Sequence, residues 1–205
     1  MGLPCGRRSP RGKLRWYLVH VPEGREQSIC DKVRKVVDPD LLDDAFVMFK
    51  ESWFKRDGVW TLKPVQMYRE YFFVATRDVA ALDKALSRLS FPARVVGTDG
   101  HAYAPLASEA QEWFSDAMDE RHVLRNSMAI IEDGVLRVQG GPLRGQESRV
   151  RKIDRHRRRC TVAVCDADGG FTEQMPIDVP FKSSGGICDG NVREGAPHAE
   201  ARGGC

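Results

Sequence analysis

The densest chemistry along the chain lies between Arg144 and Arg159. There Arg144, Arg149, Arg151, Lys152, Arg155, Arg157, Arg158 and Arg159 stand against only Glu147 and Asp154. The window carries +6 while the whole chain carries +3, so everything outside it is net negative. Such local positive density attracts a polyanion, and the phosphate backbone of a nucleic acid is the commonest one. Arginine suits that task because its planar fork of donors matches phosphate and guanine edges and stacks on unpaired bases. His156, inside the run, reads as a turn residue that adds a donor. A charged turn can also be a solvated loop capped by Asp154. Repulsion among neighbouring cations costs stability unless an anion relieves it, and this favours contact with nucleic acid.

Other chemistries find no constellation. The five histidines have no cysteine or carboxylate partners at metal-ligand spacing, and neither a phosphate-binding Gly-rich loop ending in Lys-Ser/Thr nor a G-x-S-x-G elbow occurs. The chain therefore reads as a non-enzyme without a cofactor. Six cysteines show no disulfide framework, and Cys160 and Cys165 lack the second pair that a zinc tetrahedron needs, which points to a reduced, cytoplasmic protein. No apolar run approaches the roughly 18 residues of a membrane-spanning helix. The basic stretch Met1 to Lys13 has no apolar segment behind it and reads as a disordered tail.

The elements that position the basic window follow from periodicity. Trp16 to Val21 is aromatic and β-branched and predicts a buried first strand closed by Pro22. Ile29, Val33, Val36 and Val37 recur at helical spacing and predict a helix over 23–37. The runs 45–54 and 59–66 alternate around Arg56-Asp57-Gly58, a hairpin signature, and Tyr71 to Ala75 predicts a further strand. Asp78 caps a helix with the stripe Val79, Leu82, Leu86 and Leu89, and a short strand at 94–96 follows. Ser108-Glu109-Ala110-Gln111 reads as a capping box opening a helix that carries Trp113, Phe114 and Met118. The order β-α-β-β-β-α-β-α predicts an α+β domain over 14–119, with helices on a largely antiparallel sheet. Polar residues at 120–126 read as a linker. Beyond them, short strands at 135–138, 147–153, 160–164 and 175–179, separated by Gly- and Asp-rich turns, predict a small barrel over 127–182, and 183–205 reads as a disordered tail.

The segment Ile131 to Gly145, with its Gly140-Gly141-Pro142 turn, has the form of a KOW motif, and Val150 to Arg158 continues it. Together with an N-terminal domain opening on Trp16-Tyr17, the chain resembles the NusG-type transcription factors, which pair an NGN domain with a C-terminal SH3-like KOW barrel. The strings Gly141 to Ser148 and Lys152 to Arg157 are most similar to the specialised LoaP branch of that family, which acts in processive antitermination. The resemblance covers 14–182. It implies an NGN domain that docks on the clamp helices of RNA polymerase, with Trp16, Tyr17, Tyr68 and Tyr71 at the matching positions. Aromatic residues on a first strand serve equally as core. The resemblance also implies a KOW domain that holds nascent leader RNA, in a protein acting as a monomer. Where the family carries Phe-Pro-Gly-Tyr, this chain has Tyr68-Arg69-Glu70-Tyr71. A general NusG factor that binds ribosome or Rho, and a structural ribosome-associated KOW protein, remain the alternative readings.

Overall fold

The computed structural model describes residues 12–98, 102–166, 170–180 and 182–183. Apart from residues 12, 13 and 183, both expected tails lie outside them. Strand β1 (Arg15–His20) leads into helix α1 (Glu26–Val36), which starts three residues after the predicted position because Pro22, Glu23 and Gly24 lie in a turn. The predicted 45–54 strand is two pieces, β2 (Asp44–Phe46) and β3 (Phe49–Arg56). An Asp57-Gly58 turn, both residues at positive φ, joins β3 to β4 (Val59–Gln66) in the predicted hairpin. Strand β5 (Tyr71–Thr76) and helix α2 (Val79–Leu86) follow, and Asp78 caps α2 as predicted, its Oδ1 accepting from the Ala81 amide at 3.0 Å. Three two-residue strands, β6 (Arg94–Val95), β7 (Gly97–Thr98) and β8 (Ala102–Tyr103), precede helix α3 (Ser108–Ala117).

The capping box predicted at α3 does not form. Ala107 occupies the cap position, Ser108 Oγ accepts from Arg15 at 2.9 Å, and Gln111 Oε1 accepts from the Trp16 amide at 3.0 Å. These side chains fasten α3 to β1. Residues 120–126, read from sequence as a linker, contain β9 (Val123–Leu124), which is buried and pairs in parallel with β3. Asp119 accepts from the amides of Arg121 and Val123 and pairs with Arg125, which itself reaches Glu51. The chain is thus held at this crossing.

In the sheet β2-β5-β1-β6, alternation divides the side chains between two faces. Val19, Phe72 and Val74 pack under α1 and α2 with Ile29, Val33, Leu82 and Leu86. Trp16, Phe46, Phe73 and Ala75 point the other way, toward Trp113 and Phe114 of α3. That second face continues into the C-terminal half, formed by β10 (Ser127–Glu132), β11 (Val135–Gly140), a 3-10 turn (Glu147–Arg149), β12 (Val150–Asp154), β13 (Arg159–Ala163), β14 (Thr172–Asp178) and β15 (Lys182–Ser183). The strand order is β11-β10-β14-β13-β12, antiparallel except where β10 runs parallel to β14 and β15. Ala129, Val138, Leu143, Val162, Met175 and Ile177 belong to one apolar cluster with Trp16, Phe73 and Phe114. With three helices and mainly antiparallel sheets among the described residues, the fold is of mixed α and β type, compatible with the α+β class. No described helix is long and apolar enough to cross a membrane.

Candidate nucleic-acid interface

From Arg151 onward the basic window folds as the hairpin β12–β13, whose turn spans residues 155–158. Asp154 begins the turn, its Oδ1 accepting from the Arg157 amide at 3.0 Å, and the Arg158 amide closes it on the Arg155 carbonyl at 3.3 Å. Arg158 holds φ at +49°, a left-handed conformation that costs an L-residue about 1–2 kcal/mol. Such strain persists only where surrounding contacts hold it. Here the Arg158 guanidinium reaches Asp178 at 3.4 Å, and its carbonyl accepts from the Ile177 amide at 3.1 Å.

Four of the nine predicted basic residues converge. Lys152, Arg155, His156 and Arg158 line an open concavity of about 580 Å³ beside Asp178 and Pro180. Lys152, Arg155 and His156 are exposed, and none of the three is in an ion pair among the described residues. Arg157 and Arg159 turn to the opposite side of the hairpin, and both lie near Asp154, at 3.9 and 3.8 Å. The remaining three are elsewhere. Arg151 makes a two-pronged contact with Asp166 at 2.9 and 3.1 Å. Arg149 bonds the carbonyls of Ala163 and Val164 and pairs with Glu109 on α3 at 3.1 Å, which makes it a strut between the two halves of the chain. Arg144 sits beside Trp113 and Asp116, in a separate hollow.

The four aromatic candidates do not share an exposed surface in this arrangement. Trp16 is 8% exposed and lies edge-on to Phe46, with ring centroids 4.9 Å apart. Tyr68 lies beneath the C-terminal half, where its hydroxyl donates to Glu173 Oε1 at 2.8 Å. Burial, reinforced by the neighbouring Glu173 carboxylate, pushes the Tyr68 phenol well above its ordinary value. Tyr17 packs with the opposite cluster, under the α1 and α2 face. Tyr71 meets His20 edge-on at 5.4 Å.

Sequence reasoning missed the residues that join the halves. Glu173 Oε2 accepts from Lys50 at 3.3 Å, and Lys50 also donates to the Gln174 carbonyl at 2.8 Å. The Trp53 indole donates to Asn126 at 3.0 Å, and the Arg158 guanidinium lies 4.6 Å from the Trp53 ring and 5.0 Å from the Trp60 ring. The available signal was two tryptophans on a short hairpin otherwise rich in Lys and Arg, a pattern that marks a contact surface more often than a core. Among the described residues, no group of three His, Cys, Asp or Glu side chains could hold a metal ion. Cys30 and Cys160 are buried, and burial pushes both thiols up to about 12, which leaves them protonated and inert. The chain matches no protein-family model and finds no significant match among curated proteins.

Proposed function

We propose that this chain is a NusG-type regulator of transcription elongation, of the LoaP-like antitermination kind. In this reading an NGN domain over 14–119 engages the clamp helices of RNA polymerase, and a KOW domain over 127–182 holds a structured leader RNA. No bond is made or broken. The observation that carries the reading is the concavity in which Lys152, Arg155 and His156 stand exposed and, among the described residues, outside any ion pair, around a turn that holds Arg158 in a strained conformation. Cations left without carboxylate partners are available to phosphate, and an arginine-rich turn suits the irregular face of an RNA hairpin. The strand order β11-β10-β14-β13-β12 is compatible with a small SH3-like barrel. A factor held on polymerase beside emerging RNA gains effective concentration, so modest RNA affinity suffices. Because Tyr68 is covered by Glu173 and β14, clamp engagement through Tyr68 requires the C-terminal half to move away from it.

The test is a gel shift of the full chain with RNA hairpins from leader regions, paired with a terminator-readthrough reporter. Wild type shifts the hairpin and raises readthrough, and the double variant Lys152→Ala, Arg155→Ala loses both. Unchanged hairpin binding in that variant rejects the RNA assignment. Lost binding with unchanged readthrough rejects antitermination.

A further inference from the structure

A second concavity lies on the other side of the basic turn, between the β3–β4 hairpin and strands β13 and β14, with a volume of about 370 Å³. That size falls within the range of about 300–1,000 Å³ seen for small-ligand clefts. We propose that this groove binds one unpaired base of a single-stranded RNA, stacked on the indole of Trp60 with the perpendicular Trp53 ring at its edge, with the flanking phosphates on Lys55 and Arg157. The proposal rests on the RNA-binding reading and adds to it a second subsite with different chemistry.

Three observations carry it. The first is shape. Trp53 and Trp60 stand perpendicular, at 89° with centroids 6.5 Å apart, and the Trp53 indole is fixed by its bond to Asn126. Both rings are only partly buried although they belong to a two-residue-turn hairpin with Lys55 and Arg56 at its tip. Flat, partly exposed indoles are stacking platforms for bases, since every base presents a π face.

The second is charge. The groove lining includes five cations, of which Lys50, Arg157, Arg158 and Arg159 reach Glu173, Asp154 and Asp178 just outside it, while Lys55 is in no ion pair among the described residues. Lys55 Nζ lies 5.8 Å from the centre of the Trp60 ring, and the Arg157 side chain is 70% exposed. Arg158 already occupies the indole pair as a planar guanidinium held by Asp178, which shows that a flat cationic or aromatic group fits there. A base stacks on the outer face of that guanidinium or takes its place.

The third is continuity. Arg158 lines both concavities, so the groove and the Lys152, Arg155 and His156 surface meet at that side chain. A paired base inside a duplex offers an edge and not a face, so the groove selects single-stranded segments. An acidic peptide could satisfy the cations, but it has no use for two exposed indoles.

The experiment is an intrinsic-fluorescence titration of the full chain with a ten-nucleotide oligouridine, a blunt RNA duplex and polyglutamate. Trp16 and Trp113 are buried, so the responding signal belongs to Trp53 and Trp60. The single strand is expected to quench fluorescence saturably and the other two are not. Trp60→Leu, which keeps an apolar side chain but removes the π face, is expected to weaken single-strand affinity on the order of 10-fold, the loss of one stacking platform, while Trp60→Phe retains most of it. Thermal melts of both variants confirm that each is folded. Quenching by the duplex or by polyglutamate that matches or exceeds that by the single strand, or single-strand affinity equal in Trp60→Leu and wild type, overturns the proposal. If Trp60→Leu has no effect while Arg155→Ala weakens hairpin binding, the groove assignment falls and the turn assignment stands. Loss of RNA binding of every kind from wild type removes both.

Discussion

Gly141 shows how far one residue can be read from its type alone. The Gly140-Gly141-Pro142 string reads as a turn, and the structure supplies the reason for the middle glycine. Its φ is +91°, and a Cβ there would stand 2.6 Å from the Asn126 carbonyl oxygen and 2.7 Å from Ser127 Cα. Gly141→Ala is therefore expected to lower stability by at least about 1–2 kcal/mol, the left-handed penalty alone, as read by urea unfolding. Tyr68 was legible as an aromatic beside a strand but not as a buried hydrogen-bond donor, because Glu173 is 105 positions away in sequence. Its phenol is raised above the ordinary tyrosine value of about 10. For a raised group the stabilisation is complete below the unfolded value and is lost as pH climbs beyond it, because only the unfolded chain then gains from ionising. The stability difference between wild type and Tyr68→Phe should accordingly stay constant up to about pH 10 and shrink above it. A difference that grows with pH would contradict this placement of Tyr68.

At the scale of elements, local signals succeeded wherever the cause was local. Asp57-Gly58 fixes a hairpin and Asp78 caps α2, since both act within four residues of themselves. Signals failed where a distant partner intervened. Ser108 and Gln111 have the spacing of a capping box, yet Arg15 and the Trp16 amide claim their oxygens. The stretch 120–126 is polar enough to read as a linker, but Val123 and Leu124 find the free edge of β3 at Phe49 and Lys50. The same strand β3 faces β14, where Lys50, Tyr68 and Glu173 meet in a largely buried triad. Glu173→Ala leaves the Tyr68 hydroxyl without its acceptor and the Lys50 ammonium with the Gln174 carbonyl but no counter-charge, and should cost about 1–3 kcal/mol in thermal or urea unfolding. A stability within about 0.5 kcal/mol of wild type would mean that the triad does not hold the two halves together.

At the scale of the molecule, sequence texture changes at Ser127 and suggests two independent cores. One apolar cluster crosses that boundary, from Trp16 and Phe73 through Phe114 to Val162 and Met175. Arg149 to Glu109 and Lys50 to Glu173 tie the halves from opposite directions. A shared core couples their unfolding, so calorimetry should show a single transition, and two separate transitions would show that the contact contributes little. The basic window was legible from charge alone, but its division was not. Sequence placed nine residues in one site, while the fold gives four to one concavity, turns Arg157 and Arg159 toward the tryptophans, and spends Arg149 and Arg151 on Glu109 and Asp166.

The most direct measurement of the central claim is the salt dependence of hairpin-RNA affinity for wild type and for single alanine variants. Each phosphate neutralised contributes a slope of about −0.7 to −0.9 to the logarithmic plot of affinity against salt. Lys152→Ala and Arg155→Ala should each flatten the wild-type slope by about one such contact and weaken binding at low salt, whereas Arg144→Ala and Arg151→Ala leave it unchanged. A flat wild-type response, or equal slopes for all four variants, would contradict the assignment of the turn to RNA.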